Sequence, residues 1–159
     1  MYMTFCTVYD SPLGSLYLTA NSTQLTGLWM RPPRETGIRQ DDLPVFQEVR
    51  HWLDQYFLGN PPEITSLPLS PSGTVFQRQV WEILKTIPYG ETVGYGTIAK
   101  RISPTMSAQA VGQAVGKNPI SIIIPCHRVI GASGRMTGYA GGLDKKKWLL
   151  DHESGIKKR

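Results

Sequence analysis

A thiol and an imidazole stand side by side in the segment Pro125-Cys126-His127-Arg128. A free cysteine has a pKa of about 8.5, so only a few per cent of it is thiolate at neutral pH. A base within hydrogen-bonding reach, itself oriented by a carboxylate, raises the reactive fraction. His127 can serve as that base, directly or through a water, and Glu153 can orient it. These residues predict a nucleophilic cysteine.

The same pair also has a structural interpretation. Cys126 is then a small buried side chain and His127 its hydrogen-bonded polar neighbour, which is the commoner arrangement for an isolated Cys-His pair. The segment just downstream, however, is crowded with glycines, at positions 131, 134, 138, 141 and 142. Such density predicts tight turns or a pocket wall against which a flat ligand can lie.

The sequence does not predict a metal centre. Apart from Cys6 and Cys126, its soft ligands are His51, His127 and His152, and no Cys-x-x-Cys or His-x-x-x-His pair occurs. We therefore expect neither a metal nor a cofactor.

A membrane location is not indicated either. No uninterrupted apolar run exceeds three residues, as at positions 122–124, whereas a membrane-spanning helix needs about 20. The start, Met1-Tyr2-Met3-Thr4, lacks the basic and apolar stretches of a signal peptide. We expect no membrane partner, a cytoplasmic location and reduced thiols at both cysteines.

The net charge of +5 is unevenly distributed. Residues 1–70 carry four Lys/Arg and seven Asp/Glu, a net charge of −3, whereas residues 71–159 carry 13 and five, a net charge of +8. A strongly basic second half indicates a polyanionic partner such as nucleic acid. A solvated basic face with a basic tail, Lys157-Lys158-Arg159, explains the charge equally well.

The first half is predicted to be a small α/β unit. Apolar residues over 5–9, 16–18 and 25–30, separated by turns, predict antiparallel strands. Helical spacing follows from Val45 to Phe57. Residues 59–73 hold four prolines and two glycines, so we place a domain boundary near residue 70. The domains are then residues 1–70 and 71–159.

Three successive helices are predicted at the start of the second half. Thr74-x-x-Gln77 is a capping-box pattern that begins the first helix. Tyr95 begins a short second helix, and the third runs from about Ser107 to Lys117. Two helices joined by a tight turn at 103–105, the second rich in small residues, are typical of a helix-turn-helix module.

The third helix combines a polar edge with a stripe of small residues. The edge is Gln109, Gln113 and Lys117, and the stripe is Ala108, Gly112 and Gly116. A glycine inside a helix costs about 1 kcal/mol relative to alanine, so two of them indicate that something large approaches closely. A neighbouring helix and a DNA backbone satisfy this equally. Beyond it we expect a short buried strand over 121–124, ended by Pro125, and a final helix over about 143–153.

Several sequence blocks stand in a recognisable order. The central one is Ile124-Pro125-Cys126-His127-Arg128-Val129-Ile130, followed by Thr137-Gly138-Tyr139-Ala140-Gly141-Gly142-Leu143 and Lys146-x-Trp148-Leu149-Leu150-x-x-Glu153. Supporting blocks are Phe76-Gln77-x-x-Val80-Trp81, Ile87-Pro88-Tyr89-Gly90, Tyr95-Gly96-x-Ile98-Ala99 and Gly116-Lys117-Asn118-Pro119. Over residues 74–153, and more loosely before them, the chain resembles the O6-alkylguanine-DNA alkyltransferases. The resemblance implies an α/β (α+β) fold: a small N-terminal α/β domain of structural role and a mainly helical C-terminal domain with a helix-turn-helix DNA-binding module.

The resemblance also implies a reaction. The Cys126 thiolate attacks the alkyl carbon on O6 of a guanine flipped out of duplex DNA. His127 takes the thiol proton through a water, and Glu153 holds the imidazole. Asn118 is implied to be a hinge residue that ties the helix to the active-site turn. Tyr95 is implied to donate to N3 of the base, offsetting charge on the departing guanine.

A base pocket and a DNA surface are implied in the same way. The carbonyls of Cys126 and Val129 accept from the guanine N2 amine, and backbone amides near Tyr139 and Ala140 face O6. Tyr139 stacks on the base, and Lys146 matches a family lysine near the pocket. The third predicted helix enters the minor groove. The partner is double-stranded DNA carrying O6-alkylguanine, with O4-alkylthymine as a second lesion. We expect a single-use monomer that can cluster along DNA.

One position departs from the family pattern. Gln109 stands where the family usually has an arginine that inserts into the base stack. Glutamine can hydrogen-bond an orphaned cytosine but lacks the charge and the planar stacking group. We therefore expect weaker or more salt-sensitive base flipping, or a different lesion preference.

Three alternatives stay open. The first is an alkyltransferase-like protein that binds lesions without transfer, although such relatives replace the cysteine that this chain keeps. The second is a Cys-His-Glu acyl hydrolase, which would turn over esters or amides. The third is a helix-turn-helix regulator, which would bind a specific sequence in the major groove without covalent change.

Overall fold

The computed structural model of the chain describes residues 3–34, 37–134, 139 and 142–155. The chain divides into two compact units, Met1–Ser72 and Gly73–Arg159. Each unit has its own core.

The N-terminal unit is built on a four-stranded sheet. Strands β1 (Phe5–Ser11), β2 (Gly14–Ala20) and β3 (Leu25–Trp29) pair antiparallel, as their alternating sequence predicts. The two-residue strand β4 (Ile38–Arg39) pairs parallel with β1, giving the order β3-β2-β1-β4. The sequence does not predict β4, because two exposed residues carry no alternation.

Helix α1 (Pro44–Phe57) supplies the other half of this core. Proline at its first position has the backbone angle that a helix needs there and no amide hydrogen to leave unsatisfied. The buried face of α1 consists of Val45, Phe46, Val49, Trp52, Leu53 and Tyr56. Gly59 follows the helix with φ +88°, a conformation that favours glycine and ends the helix. The expected α/β character of this half is confirmed.

The C-terminal unit is mainly helical. Its helices are α2 (Val75–Leu84), α3 (Tyr95–Ile102), α4 (Ala108–Gly116) and α5 (Leu143–Ser154). Two short strands, β5 (Val93–Gly94) and β6 (Val129–Ile130), pair in parallel. A turn of 3-10 helix over Cys126–Arg128 precedes β6. The pairing therefore places the segment before α3 beside the segment that follows Cys126.

Helix α4 is held in place by a hydrogen bond from α2 and by the tight turn that follows α3. The indole nitrogen of the buried Trp81 on α2 donates to the carbonyl of Ala114 on α4 at 2.8 Å. Between α3 and α4, the Thr105 amide donates to the Ser103 hydroxyl at 3.2 Å, which closes a tight turn. The Ser107 hydroxyl accepts from the Ala110 amide at 3.1 Å and caps α4. The predicted helix-turn-helix is thus present.

The predicted strand over 121–124 is wrong. These residues form consecutive turns, although their side chains are buried as expected. A run of β-branched residues favours a strand locally, but here the backbone folds back, with the Ile124 amide donating to the Ile120 carbonyl at 3.1 Å.

No helix in the described ranges is long and apolar enough to cross a membrane.

Removing the cap of α2 tests how much local sequence stabilises the C-terminal unit. The Gln77 amide donates to the Thr74 hydroxyl at 3.0 Å and the Thr74 amide donates to the Gln77 side chain at 2.9 Å, a complete capping box. We expect Thr74→Ala to lower the free energy of unfolding by about 1 kcal/mol in urea. Val75→Ala, at the adjacent position that is 77% exposed, should change it by less than about 0.5 kcal/mol. Equal losses in the two variants would contradict this role.

Candidate active site around Cys126

A buried asparagine shapes the turn that precedes the cysteine. Asn118 follows α4, and its side-chain oxygen accepts from the Ile120 amide at 3.0 Å. Its amide nitrogen donates to the carbonyl of Ile124 at 2.8 Å and to that of Ile120 at 3.3 Å. One side chain therefore ties the end of α4 to the residue two positions before Cys126.

The turn carries backbone strain at Ile122. This residue has φ +70°, in the left-handed region that a β-branched side chain rarely adopts. Such a conformation costs on the order of 1–3 kcal/mol and persists only where its surroundings impose it. Here the Asn118 bonds and the complete burial of Ile122 impose it.

Cys126 begins the 3-10 turn and is 7% exposed. Its amide donates to the Ile124 carbonyl at 2.8 Å. Burial raises the pKa of the thiol, although the amide of Asn118 and the positive charge of Lys146 act in the opposite direction. The resting side chain is therefore a neutral thiol and needs a base at the moment of attack.

His127 and Glu153 form a buried pair. Nε2 of His127 lies 2.6 Å from Oε2 of Glu153, and neither side chain is more than 1% exposed. Burial lowers the pKa of His127 despite the carboxylate, and the charges of Arg128 and Lys146 add to this effect. The imidazole is thus neutral. Since an ionised carboxylate can only accept, Nε2 carries the proton. Nδ1 is buried and makes no hydrogen bond within the described residues.

The carboxylate of Glu153 is ionised. Burial alone would raise its pKa, but the hydrogen bond from His127 and the hydrogen bonds and positive charge of Arg128 outweigh burial and lower it. Arg128 contacts Glu153 directly, with Nε donating to Oε1 at 2.7 Å. The signal that points to such a partner is the need of any buried carboxylate for a cation.

Two further predicted residues lie near the thiol. Lys146 on α5 is fully buried and donates to the Val129 carbonyl at 2.7 Å. Burial lowers the pKa of Lys146, whereas the nearby Cys126 raises it. The hydroxyl of Tyr139 is buried near Cys126 and Ser121 without a well-formed hydrogen bond to the described residues. Burial raises the pKa of Tyr139 well above its ordinary value. Ala140 lies outside the described residues.

The predicted DNA-contacting residues share one face of α4. Ala108, Gln109, Gln113, Gly116 and Lys117 are exposed and Gly112 is half-buried, whereas Val111, Ala114 and Val115 face the core. A groove of about 500 Å³ runs along this face beside the start of α2.

Tyr95 occupies the first position of α3 and packs against the stripe of α4. A Cβ added to Gly112 would lie 3.7 Å from its ring, which is ordinary contact. A Cβ added to Gly116 would meet no described atom within 4 Å. A neighbouring helix therefore does not explain either glycine.

Cys6 and Cys126 are both free thiols. No cluster of His, Cys, Asp and Glu in the described part of the chain could hold a metal ion.

The site combines a buried thiol with a His-Glu pair, in a unit that also carries a helix-turn-helix. These features define a class of protein that reacts through a cysteine. Two family models match the chain: "6-O-methylguanine DNA methyltransferase, DNA binding domain" over residues 75–155 and the "ribonuclease-like domain" of the same proteins over residues 4–71. The chain therefore belongs to the 6-O-methylguanine DNA methyltransferase family. The expected resemblance is confirmed.

Individual relatives agree with this assignment. The methylated-DNA–protein-cysteine methyltransferase of Haemophilus influenzae is 42% identical over 94% of this chain and 86% of its own length. The crystal structure of Mycobacterium tuberculosis O6-methylguanine methyltransferase matches with a TM-score of 0.87 at 42% identity, covering 98% of this chain and 96% of that chain. The crystal structure of Mycobacterium tuberculosis OGT in complex with DNA matches with a TM-score of 0.86 at 44% identity, covering 96% of this chain and 94% of that chain.

The lowered pKa of His127 predicts a specific loss of stability in acid. Below about pH 6.5 the unfolded chain binds a proton at this position that the folded chain does not, so protonation favours unfolding. Between pH 6.5 and 5.5 this group should remove up to about 1 kcal/mol from the free energy of unfolding. His127→Gln should lose that part of the pH dependence in urea titrations, and His51→Gln, at an exposed position, should keep it. A wild-type slope in His127→Gln would show that the imidazole is protonated in the folded protein.

Proposed function

We propose that this protein repairs duplex DNA by moving an alkyl group, typically methyl, from O6 of a flipped-out guanine to Sγ of Cys126. The observation that carries the proposal is the geometry of the imidazole. Nε2 of His127 is held by Glu153 at 2.6 Å, and Nδ1 makes no hydrogen bond to the described residues. A neutral thiol therefore stands beside a neutral base with a lone pair to spare.

The reaction balances with these groups. Nδ1 of His127 takes the thiol proton, through a water, as the Sγ lone pair attacks the alkyl carbon. The S–C bond forms while the C–O6 bond breaks, and the electron pair stays on the guanine. Donation from Tyr95 to N3 offsets the resulting negative charge. Because the thioether product has no easy route to hydrolysis, each molecule acts once.

The burial of Cys126 supports base flipping. A thiol that is 7% exposed cannot reach O6 of a base inside the double helix, so the nucleotide must rotate out at a cost of a few kcal/mol. In the proposed pocket, the carbonyls of Cys126 and Val129 accept from the guanine N2 amine. Tyr139 stacks on the base, amides near Tyr139 and Ala140 face O6, and Lys146 closes the pocket behind Val129. Asn118 is the hinge residue of this site.

The exposed face of α4 is the proposed DNA surface. Nothing in the described packing requires glycine at 112 or 116, so the small stripe suits a partner from outside the chain, namely the sugar-phosphate backbone in the minor groove. Gln109 and Gln113 offer hydrogen bonds and Lys117 a charge toward phosphates. The excess of cations in residues 71–159 supports the same assignment.

The division of labour follows. Residues 71–159 bind DNA and perform the transfer, and residues 1–70 have a structural role. We further propose O4-alkylthymine as a second lesion, a monomer that can cluster along DNA, and a cytoplasmic location. The lesion-binding, hydrolase and regulator alternatives are not favoured, because the chain keeps Cys126 and belongs to a methyltransferase family.

The direct test follows one methyl group. A duplex with a single O6-methylguanine is mixed with the protein, and the peptide containing Cys126 is weighed. We expect a gain of one methyl group per molecule and no second turnover. Cys126→Ser should gain none and still bind the lesion, because a hydroxyl is a far weaker nucleophile near neutral pH. Cys6→Ser is the matched control and should react like the wild type. Lesion binding without a mass gain, or repeated turnover, would contradict the proposal.

The glutamine on α4 predicts a gain of function. We expect Gln109→Arg to speed transfer on duplex DNA roughly tenfold, equivalent to about 1.4 kcal/mol, because arginine adds a charge and a planar stacking group. Gln113→Arg adds the same charge to the same exposed face and should raise affinity without a comparable gain in rate. With free O6-methylguanine base as the substrate, which needs no flipping, neither variant should differ from the wild type in transfer rate. An unchanged duplex rate in Gln109→Arg would show that Gln109 does not limit flipping.

A further inference from the structure

Arg128 donates three hydrogen bonds at this buried site, although the proposed reaction gives it no direct chemical role. Its Nε and one terminal nitrogen donate to the two oxygens of Glu153 at 2.7 and 3.1 Å. Its other terminal nitrogen donates to the Ile87 carbonyl at 2.7 Å. The guanidinium carbon lies 5.7 Å from the centre of the Tyr89 ring. Each nitrogen of the guanidinium is engaged, so its plane is fixed.

The guanidinium in turn fixes the carboxylate. Oε1 of Glu153 accepts from Arg128 and from the Gly90 amide at 3.3 Å, while Oε2 accepts from Arg128 and from Nε2 of His127. A two-pronged contact restrains rotation of a carboxylate about its final bond, which a single hydrogen bond does not. The oxygen that faces the imidazole is therefore held in place from the opposite side.

The positive charge of Arg128 also affects the protonation state of the imidazole. The buried carboxylate needs one positive charge nearby, and Arg128 supplies it permanently, since arginine does not lose its proton. Without Arg128, the negative charge of the carboxylate would be compensated by a proton taken up from solvent, either on His127 or on Glu153 itself. In the first case Nδ1 carries a proton. In the second, a protonated Glu153 can donate to Nε2, which moves the ring proton to Nδ1. Both outcomes remove the lone pair that accepts the thiol proton.

We propose that Arg128 is a positioning residue for alkyl transfer, which pairs with Glu153 so that His127 stays neutral with its proton on Nε2 and its Nδ1 lone pair available to Cys126. The inference rests on the proposed function, and it assigns to Arg128 an influence on the reaction beyond fold stability.

Other charged groups face the same imidazole. From α5 come the carboxylate of Glu153, which raises the pKa of His127, and the ammonium of Lys146, which lowers it. From its own turn comes the guanidinium of Arg128, which also lowers it. Removing Arg128 takes away one of the two positive charges that lower the pKa of His127. The pKa of His127 must then rise, and the fraction of neutral base at pH 7 must fall.

The experiment compares two substitutions that separate charge from geometry. Arg128→Gln removes both the positive charge and the two-pronged contact with Glu153. Arg128→Lys keeps the charge but cannot make the two-pronged contact. Single-turnover transfer to Cys126 is measured from pH 5 to 8. We expect the acid limb of the rate profile to move up by about one pH unit in Arg128→Gln and to stay in place in Arg128→Lys, whose rate falls several-fold at every pH. Lys85→Gln, which removes the cation of the Lys85–Glu82 ion pair on the surface, should leave the profile unchanged.

A second measurement needs neither DNA nor transfer. Nitrogen-15 spectra of the full chain report which ring nitrogen of His127 carries the proton. We expect the neutral Nε2–H form in the wild type at pH 7 and an imidazolium or an Nδ1–H form in Arg128→Gln. Should Arg128→Gln fail to fold, Arg128→Lys decides, because a wild-type transfer rate in that variant overturns the inference and a several-fold lower rate supports it.

The two proposals fail in different ways. Wild-type protein that gains no methyl group at Cys126 overturns the proposed function. Wild-type protein that gains it, while folded Arg128→Gln keeps the wild-type acid limb and the Nε2–H form, overturns the role of Arg128 and leaves it as a structural contact.

Discussion

The carboxylate of Glu153 is the constraint on which the site depends. Burying an ionised carboxylate costs several kcal/mol unless cations and hydrogen-bond donors replace the water it loses. Arg128, His127 and the Gly90 amide provide that replacement, and they come from the Cys126 turn and from the segment after α2. The last helix, the reactive turn and the approach to α3 are therefore joined through one side chain. The same contacts that stabilise the charge also aim the imidazole.

Two opposite demands meet at the thiol. A nucleophilic cysteine benefits from a lowered pKa, yet burial raises the pKa of Cys126 and lowers that of His127. Both shifts favour a neutral pair over a resting thiolate-imidazolium pair. The proton must then move during the attack and not before it, so the position of Nδ1 matters more than the resting ionisation of the sulfur. Asn118 and the strained turn at Ile122 determine where that sulfur lies.

Local patterns in the sequence anticipated much of this arrangement and failed where distant contacts decide. The capping box at Thr74, the helical spacing of α1 and the turn before α4 are short-range signals, and each forms as expected. The turn over 121–124 is the clearest failure. Its isoleucines favour a strand, but the Asn118 side chain donates two hydrogen bonds to this segment and accepts one from it, which folds it back, and no spacing in the sequence reveals them. The short strands β4, β5 and β6 went unpredicted because two residues show no periodicity.

At the candidate site, too, residues adjacent in the sequence were easier to predict than distant contacts. Cys126 and His127 are adjacent, so their chemistry is visible in the sequence, and the contact of His127 with Glu153 follows the expected orienting role. Arg128 and its bidentate partner Glu153 lie 25 positions apart along the chain. Only the need of a buried carboxylate for a cation points to this contact.

The near-complete enclosure of Cys126 has a further consequence for a molecule that works once. Every thiol in a cell is exposed to peroxides and to stray electrophiles, and these react with thiolates far faster than with neutral thiols. A permanently charged, open sulfur would be consumed by such reagents before any lesion arrived. Enclosure and neutrality together keep the thiol unreacted until a damaged base reaches it.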